Sequence, residues 1–318
     1  MVSGPSRVTA VIVAYNRRDL LTEVLDALAH QTRAVDAIVV VNNASTDDTS
    51  QVVRESGLDI TLIELTSNTG GAGGFAVGMA AAMVRDNPDW IWVMDDDTVP
   101  DKHALLGLMN TVTAYPGSSL AAVGSRVVWT DGDEHPMNTP RENPFASSQE
   151  KSDADAVGAM PVRSLSFVSS MYRAERVRAV GYPLVDYFLW NDDFEFSTRV
   201  LRGHRGLSTP ASIVVHKTAR RGSTDDDPGE RFRFEVRNKI WLFRHSRGLR
   251  PAEKLVYGAS SLLRWGRTAL KSTDRRVLRE GFTRGKREAG ERPPRPNTEV
   301  LRDVGVPRDV LAELGRAE

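Results

Sequence analysis

The chain of 318 residues contains no cysteine, which excludes disulfide staples, thiolate zinc sites and a cysteine nucleophile. Histidine is scarce at six residues, so metal chemistry has to rest on carboxylates and those few imidazoles. No stretch approaches the roughly 20 uninterrupted apolar residues that a membrane-spanning helix needs. The start, Met1 to Pro5, lacks the charged and apolar regions of a signal peptide, so the expected location is cytoplasmic. Net charge is absent too, with 42 basic against 42 acidic side chains. The balance conceals a gradient: residues 1–200 hold 15 bases and 27 acids, and residues 201–290 hold 22 and 9. A chain polarised in this way can turn a cationic face toward phosphates or anionic lipid. What is present, 40% hydrophobic residues at this length, describes a folded, soluble protein with one large domain or a domain with an appendage.

From Val8 to Val128 short apolar runs alternate with helical patterns, the rhythm of a mostly parallel sheet covered on both faces. The expected strands are Val8–Ala14, Ala37–Val41, Ile60–Leu65, Trp90–Met94 and Leu120–Val128. The expected helices are Asp19–Ala29, Asp47–Ser56, Gly74–Arg85 and Asp101–Thr113. Ligands of open α/β sheets bind at the carboxyl ends of strands, here Tyr15–Arg18, Asn42–Thr46, Asn68–Gly74 and Asp95–Thr98. Residues Thr130 to about Val162 are polar and proline-containing, and read as a mobile loop. Order is expected again at Leu165–Ser170, in a helix near Glu175–Val180 and in a strand Ser212–His216. From Glu230 the chain reads as helical and basic, with a proline-rich linker at Arg292–Pro296 before a last short helix. The domain boundaries expected are 1–229 and 230–318, with no internal repeat.

Asp95, Asp96 and Asp97 end an apolar strand, where each carboxylate raises its neighbours' pKa unless a cation offsets the repulsion. Two of them separated by one side chain can share a hard divalent metal, whereas the bland alternative is a turn with helix-capping acids. A second acidic run, Asn191 to Glu195, sits among Tyr187, Phe188, Trp190, Phe194 and Phe196. A carboxylate in so apolar a setting can serve as a general base, although acids also suit the first turn of a helix. His216 closes the apolar run Ile213–Val215 and can add an imidazole to the metal, or be an ordinary structural histidine. Asn68 to Phe75 places four glycines within five residues between a strand and a helix. It has neither the dinucleotide spacing nor a P-loop, but it permits close backbone approach to an anion.

In this order, Val11–Arg17, Val41–Asp47, Asn68–Phe75, Asp95–Asp97 and Trp190–Glu195 resemble the inverting family 2 glycosyltransferases of the GT-A fold. The resemblance covers about residues 8–245, including Arg237-Asn238 in a helix that follows the catalytic domain. Within the family, the glycine-rich loop and the tryptophan before the acidic pair look most like the galactofuranosyltransferases of mycolic-acid bacteria. The chain length is similar to those that start cell-wall galactan. The fold implied is α/β, a Rossmann-like mostly parallel sheet with helices on both faces, plus a basic C-terminal helical extension. The resemblance implies that Asp95 and Asp97 bind Mn²⁺ or Mg²⁺ and that Asp96 contacts the donor ribose or sugar. His216, two dozen residues after Asp192, would complete the metal site. Asp192 or Asp193 would be the base, with Trp190 and Glu195 on the acceptor side. Tyr15, Asn16, Arg17, Asn42, Asn43, Asn68 and Gly73 would line the nucleotide pocket, though many relatives carry Asp where this chain has Asn42.

The donor implied is UDP-galactofuranose, and the acceptor a polyprenyl-diphosphate-linked GlcNAc-rhamnose glycolipid. The reaction implied is direct displacement with inversion. A rhamnosyltransferase using dTDP-rhamnose would share nearly every motif, and a non-catalytic nucleotide-sugar-binding protein is the alternative of a different class. Leu255, Val256, Ala259, Leu262, Leu263 and Leu270 fall on one helical face, with Arg264, Arg267 and Lys271 opposite. With Arg244, Arg247 and Arg250 nearby, such a helix is suited to the anionic inner face of the plasma membrane. Its alternative is packing on the catalytic domain or on a second copy in a homo-oligomer. Thr130–Val162 and Thr218–Gly229 are candidate lids. The basic tail lacks aromatic interleaving, so nucleic acid is not an expected partner.

Overall fold

Side chains alternate across a strand, and in the computed structural model every residue of strand β1 (Val8–Ala14) is buried, so the strand must be covered on both sides. Val8, Ala10, Ile12 and Ala14 face one core, and Val11 and Val13 the other. The structure describes residues 6–219, 228–272 and 274–316. After β1 follow α1 (Arg18–Ala29), β2 (Ala37–Asn42), α2 (Thr49–Glu55), β3 (Ile60–Glu64), α3 (Gly70–Arg85), β4 (Trp90–Asp95), β5 (Thr98–Pro100), α4 (Ala104–Ala114) and β6 (Leu120–Val128). Next come α5 (Ser148–Asp155), β7 (Met160–Pro161), β8 (Ser169–Arg173), α6 (Ala174–Val180), α7 (Asp192–Val200) and β9 (Arg205–His216). The chain ends with α8 (Phe232–His245), α9 (Pro251–Lys271), α10 (Arg275–Glu291), α11 (Asn297–Val300) and α12 (Arg308–Gly315).

The sheet order is β3-β2-β1-β4-β8-β6-β9-β5, with β7 also on β9. The first four strands are parallel, and β8 runs antiparallel between β4 and β6. Strand order reverses between β1 and β4, where Val13 is level with Asp95, so the switch point of the sheet brings the loop after β1 beside the acidic triplet. Helices α1 and α4 cover one face and α3 with α12 the other.

The expected strands of the first half are observed to within a residue. Helix α3, however, starts at Gly70 and not Gly74, because side-chain oxygens of Asn43 and Asn68 accept the N–H groups of Thr69 and Gly70, which a helix start leaves unpaired. Strand β9 begins at Arg205, well before Ser212. Residues 130–162 are not a structureless loop: they contain α5 and β7, and the fully buried His135 donates its N–H to the Val127 carbonyl. Of the second candidate lid, Thr218–Gly229, residues 220–227 lie outside the described residues.

The C-terminal helices are not a detached tail. Helix α10 packs along α8, and Leu301, Val310 and Leu314 enter the same core as α3. Helix α9 is tied down at its start, where Glu253 accepts Arg163 Nε at 2.6 Å and the Arg250 N–H at 2.6 Å. It buries Glu253, Ser261 and Thr268, while Leu255, Leu262, Leu263 and Leu270 are 65–75% exposed. No described helix is long and apolar enough to cross a membrane.

Candidate active site

Immediately after β4 the chain turns into β5, which pairs antiparallel with the end of β9 so that Thr98 lies level with His216. This pairing carries a histidine more than a hundred residues away in sequence onto the acidic triplet. Ligand atoms of Asp95, Asp97 and His216 lie within 4.8 Å of one another. His216 Nδ1 lies 2.9 Å from Asn138 Oδ1, a contact that fixes the ring's orientation. Nε2 points at Asp97 Oδ1, 3.2 Å away, a buried oxygen with no other close polar partner among the described residues. A proton or a metal ion can bridge such a pair, and an outer-shell partner that fixes the imidazole is usual at metal sites. Two carboxylates and an imidazole fit Mn²⁺ or Mg²⁺.

The electrostatics of the triplet follow from burial. Asp95 is pushed up to about 6, first by burial and then by the charge of Asp97. Burial also pushes Asp96 up to about 7 despite Arg17. Asp97 is buried as well, but His216 and Arg17 outweigh that effect and hold it below the ordinary carboxylate value. Arg17 bonds both Asp96 and Asp97 and acts as the cluster's fixed counter-charge.

The second acidic run opens α7. Asp192 and Asp193 line one cavity together with Asp95 and His216, and its volume is about 500 Å³. Trp190, Gly71 and Ser166 also line it, as do Glu235, Arg264 and Trp265 of α8 and α9. Asp192 is held well above the usual carboxylate range, by burial first and then by the charges of Asp193 and Asp95. Burial raises Asp193 too, against the Phe194 N–H, the Ser166 hydroxyl and the Lys239 cation.

Several other residues expected at the site have hydrogen-bond partners within the fold. Asp96 accepts the Tyr15 N–H at 2.8 Å and Arg17 at 3.2 Å, and does not line the cavity. Asn16 accepts from Thr46, while Asn42 bridges Ser45 and Ser50 within its own turn. Asn43 bonds Thr69 and the Gly70 carbonyl, and Asn68 bonds Gly70, so both brace the glycine-rich turn. Tyr15 is 45% exposed at the rim of the switch point. Gly73 lies inside α3 against Thr69 and Val185, away from the cavity. The buried carboxylate of Glu195 bonds Arg199, one turn further along α7, and Ser246. Asn138, Ser166, Glu235, Lys239, Arg264 and Trp265 were not expected. Lys239 directly follows the recognisable Arg237-Asn238, which was the one available signal.

The model of glycosyl transferase family 2 matches residues 9–180, more than half of the chain. The chain therefore belongs to glycosyl transferase family 2 and is a glycosyltransferase. Among curated relatives, galactofuranosyltransferase GlfT1 of Mycolicibacterium smegmatis is 30% identical over 271 residues, covering 79% of this chain and 88% of that protein. GlfT1 of Mycobacterium tuberculosis is 31% identical over 254 residues, covering 74% and 81%. Two solved structures share the fold. The mannosyltransferase PcManGT of Pyrobaculum calidifontis, solved with GDP-Man and Mn²⁺, is 18% identical with a TM-score of 0.53, over 99% of this chain and 86% of that one. TarS 1-349 of S. aureus, solved with UDP-GlcNAc, is 16% identical with a TM-score of 0.59, over 97% and 84%.

Proposed function

We propose that this protein is an inverting galactofuranosyltransferase, moving galactofuranose from UDP-galactofuranose to a polyprenyl-diphosphate-linked GlcNAc-rhamnose acceptor and so starting cell-wall galactan. The observation that carries the reading is one cavity lined by Asp95 and His216 of the metal group together with Asp192 and Asp193. Likeness to the two galactofuranosyltransferase relatives supports this donor.

Asp95, Asp97 and His216 would hold Mn²⁺ or Mg²⁺, whose charge stabilises the diphosphate as it leaves. Asp192 takes the proton from an acceptor hydroxyl, since its carboxylate neighbours raise its affinity for a proton while Asp193 is restrained by Phe194 and Lys239. The acceptor oxygen bonds to the anomeric carbon as the bond to UDP breaks on the opposite side, so configuration inverts. Arg17 keeps Asp96 and Asp97 compensated throughout. Trp190 supplies a cavity wall for the acceptor sugar.

A lipid-linked acceptor accounts for helix α9. Its inner face lines the cavity with Arg264, Trp265 and Thr268, and its outer face presents bare leucines flanked by Arg267 and Lys271. Such a helix suits the interface of an anionic membrane, which supports a location at the inner face of the plasma membrane. The test is product analysis by mass spectrometry with UDP-galactofuranose, Mn²⁺ and a synthetic lipid-linked GlcNAc-rhamnose. One or two added hexoses are expected. Transfer from dTDP-rhamnose with none from UDP-galactofuranose would overturn the donor.

A further inference from the structure

Between the 3₁₀ turn at Val185–Tyr187 and the start of α7, the backbone enters the left-handed region three times, at Phe188, Trp190 and Asn191, with φ of 65°, 65° and 62°. None is glycine, so the turn persists only because its surroundings over-determine it. The next two residues are Asp192 and Asp193, and a change in this turn moves both.

One buried side chain of α8 meets the turn at three points. The Asn238 amide Nδ2 donates toward the carbonyls of Tyr187 at 3.0 Å, Leu189 at 2.9 Å and Trp190 at 2.8 Å. It has two hydrogens for three acceptors, so the bonds are shared. Which end of the amide faces the turn is set by Arg237, whose Nε donates to Asn238 Oδ1 at 3.0 Å. The same guanidinium reaches the Asp186 and Tyr187 carbonyls at 2.9 and 3.0 Å. One turn earlier on α8, Glu235 accepts Asn191 Nδ2 at 2.6 Å. From the other side, the Ala72 N–H of the glycine-rich turn donates to the Phe188 carbonyl at 3.2 Å.

We propose that Asn238, oriented by Arg237, is a positioning residue for the transfer reaction: it fixes the left-handed turn that aims Asp192 and Asp193 into the cavity. This rests on the reading of that pair as the base, and it makes α8 part of the catalytic unit. Loss of an Asn238 donor leaves carbonyls facing one another, and a shift of about 1 Å in a catalytic group costs on the order of 100-fold in rate. Among the described residues Asn238 hydrogen-bonds Arg237 and the turn, and neither the metal group nor the β1 and β2 loops, so donor binding is expected to be spared.

The test compares the full-length wild type with Asn238→Asp, an isosteric change that cannot donate when ionised, and with Arg237→Lys, which keeps the cation but not the fork. Asp192→Asn and Asp193→Asn run in parallel. For each, kcat and donor KM are measured with the nucleotide-sugar the wild type turns over, together with calorimetric binding of UDP with Mn²⁺ and the melting temperature. The expected result for Asn238→Asp is a fall in kcat of about 100-fold, with donor KM and UDP binding within about twofold. A smaller fall of the same kind is expected for Arg237→Lys, which also decides the matter if Asn238→Asp does not fold. A kcat within threefold of wild type in a folded variant, or a parallel loss of UDP binding, would overturn the proposal. If both Asp192→Asn and Asp193→Asn keep wild-type kcat, the reading of the acidic pair fails instead.

Discussion

Nε2 of His216 lies 3.2 Å from Oδ1 of Asp97, and both side chains are buried where β5 meets the end of β9. A proton or a metal ion can bridge this contact, and Asp95 supplies a third ligand atom within 4.8 Å. Mn²⁺ is therefore expected to raise the melting temperature of the wild type, by about 2.7 kcal/mol of stability at a hundredfold excess over its Kd. The gain should vanish in Asp97→Ala and His216→Ala. Differential scanning calorimetry with and without Mn²⁺, and after EDTA, reads this directly. An equal Mn²⁺ response in the variants would refute the assignment of the metal group.

Asp192 and Asp193 adjoin one another in one cavity but differ in their partners. The Phe194 N–H at 2.7 Å and the Lys239 cation restrain Asp193, whereas Asp192 has the charges of Asp193 and Asp95 beside it. Loss of a general base costs typically 100- to 10,000-fold. Asp192→Asn is expected to fall in that range in kcat with donor KM little changed, and Asp193→Asn to lose less. The reverse order in steady-state assays would assign the base to Asp193.

These two clusters were legible in the sequence because each stands at a boundary that local chemistry marks. Apolar runs place Asp95 to Asp97 at a strand end, and aromatic neighbours frame Asp192 and Asp193. His216 could be brought to Asp97 only by likeness to a family, since no local pattern encodes the pairing of β5 with β9. The roles of Asn42, Asn43 and Asn68 were not legible for the opposite reason. Asparagine at a strand end suits both a ligand and a turn, and only the fold shows that their amides are spent on Ser50, Thr69 and Gly70. Asn138 lay in a polar stretch without periodicity, and its bond to His216 depends on residues 130–162 folding back on the sheet.

Asp186 fastens the proline-rich stretch after α10 to the turn ahead of the acidic pair. Burial would raise its carboxyl, but Arg292 and Arg295 outweigh that and hold it down at about 2, against about 3.9 in an unfolded chain. A depressed carboxyl stabilises the fold above its unfolded value and loses that contribution as pH falls through the folded value. Asp186→Asn is thus expected to melt below the wild type at pH 5–8. The gap should close between about pH 4 and pH 2. A gap that stays constant over that range, in melting curves recorded across pH, would show that the ion pairs contribute nothing.

Helix α9 is amphipathic in the reverse sense for a helix on a soluble domain. Ser261 and Thr268 face inward, while Leu262 and Leu263 are 66% and 65% exposed. Burying such a side chain is worth about 1.5–3 kcal/mol, so reversible attachment to an anionic bilayer is the expected outcome for four leucines on one face with Arg267 and Lys271 at its edge. Leu262→Glu with Leu263→Glu is expected to abolish flotation with vesicles containing anionic lipid. Both side chains point away from the cavity, so turnover of a water-soluble acceptor should stay within about twofold. Turnover of a lipid-linked acceptor in vesicles should instead fall steeply, because the substrate then reaches the cavity only when α9 is seated beside it. If the wild type fails to float, while the double variant changes from a dimer to a monomer in sedimentation, the leucine face belongs to a second copy of the chain and not to the membrane.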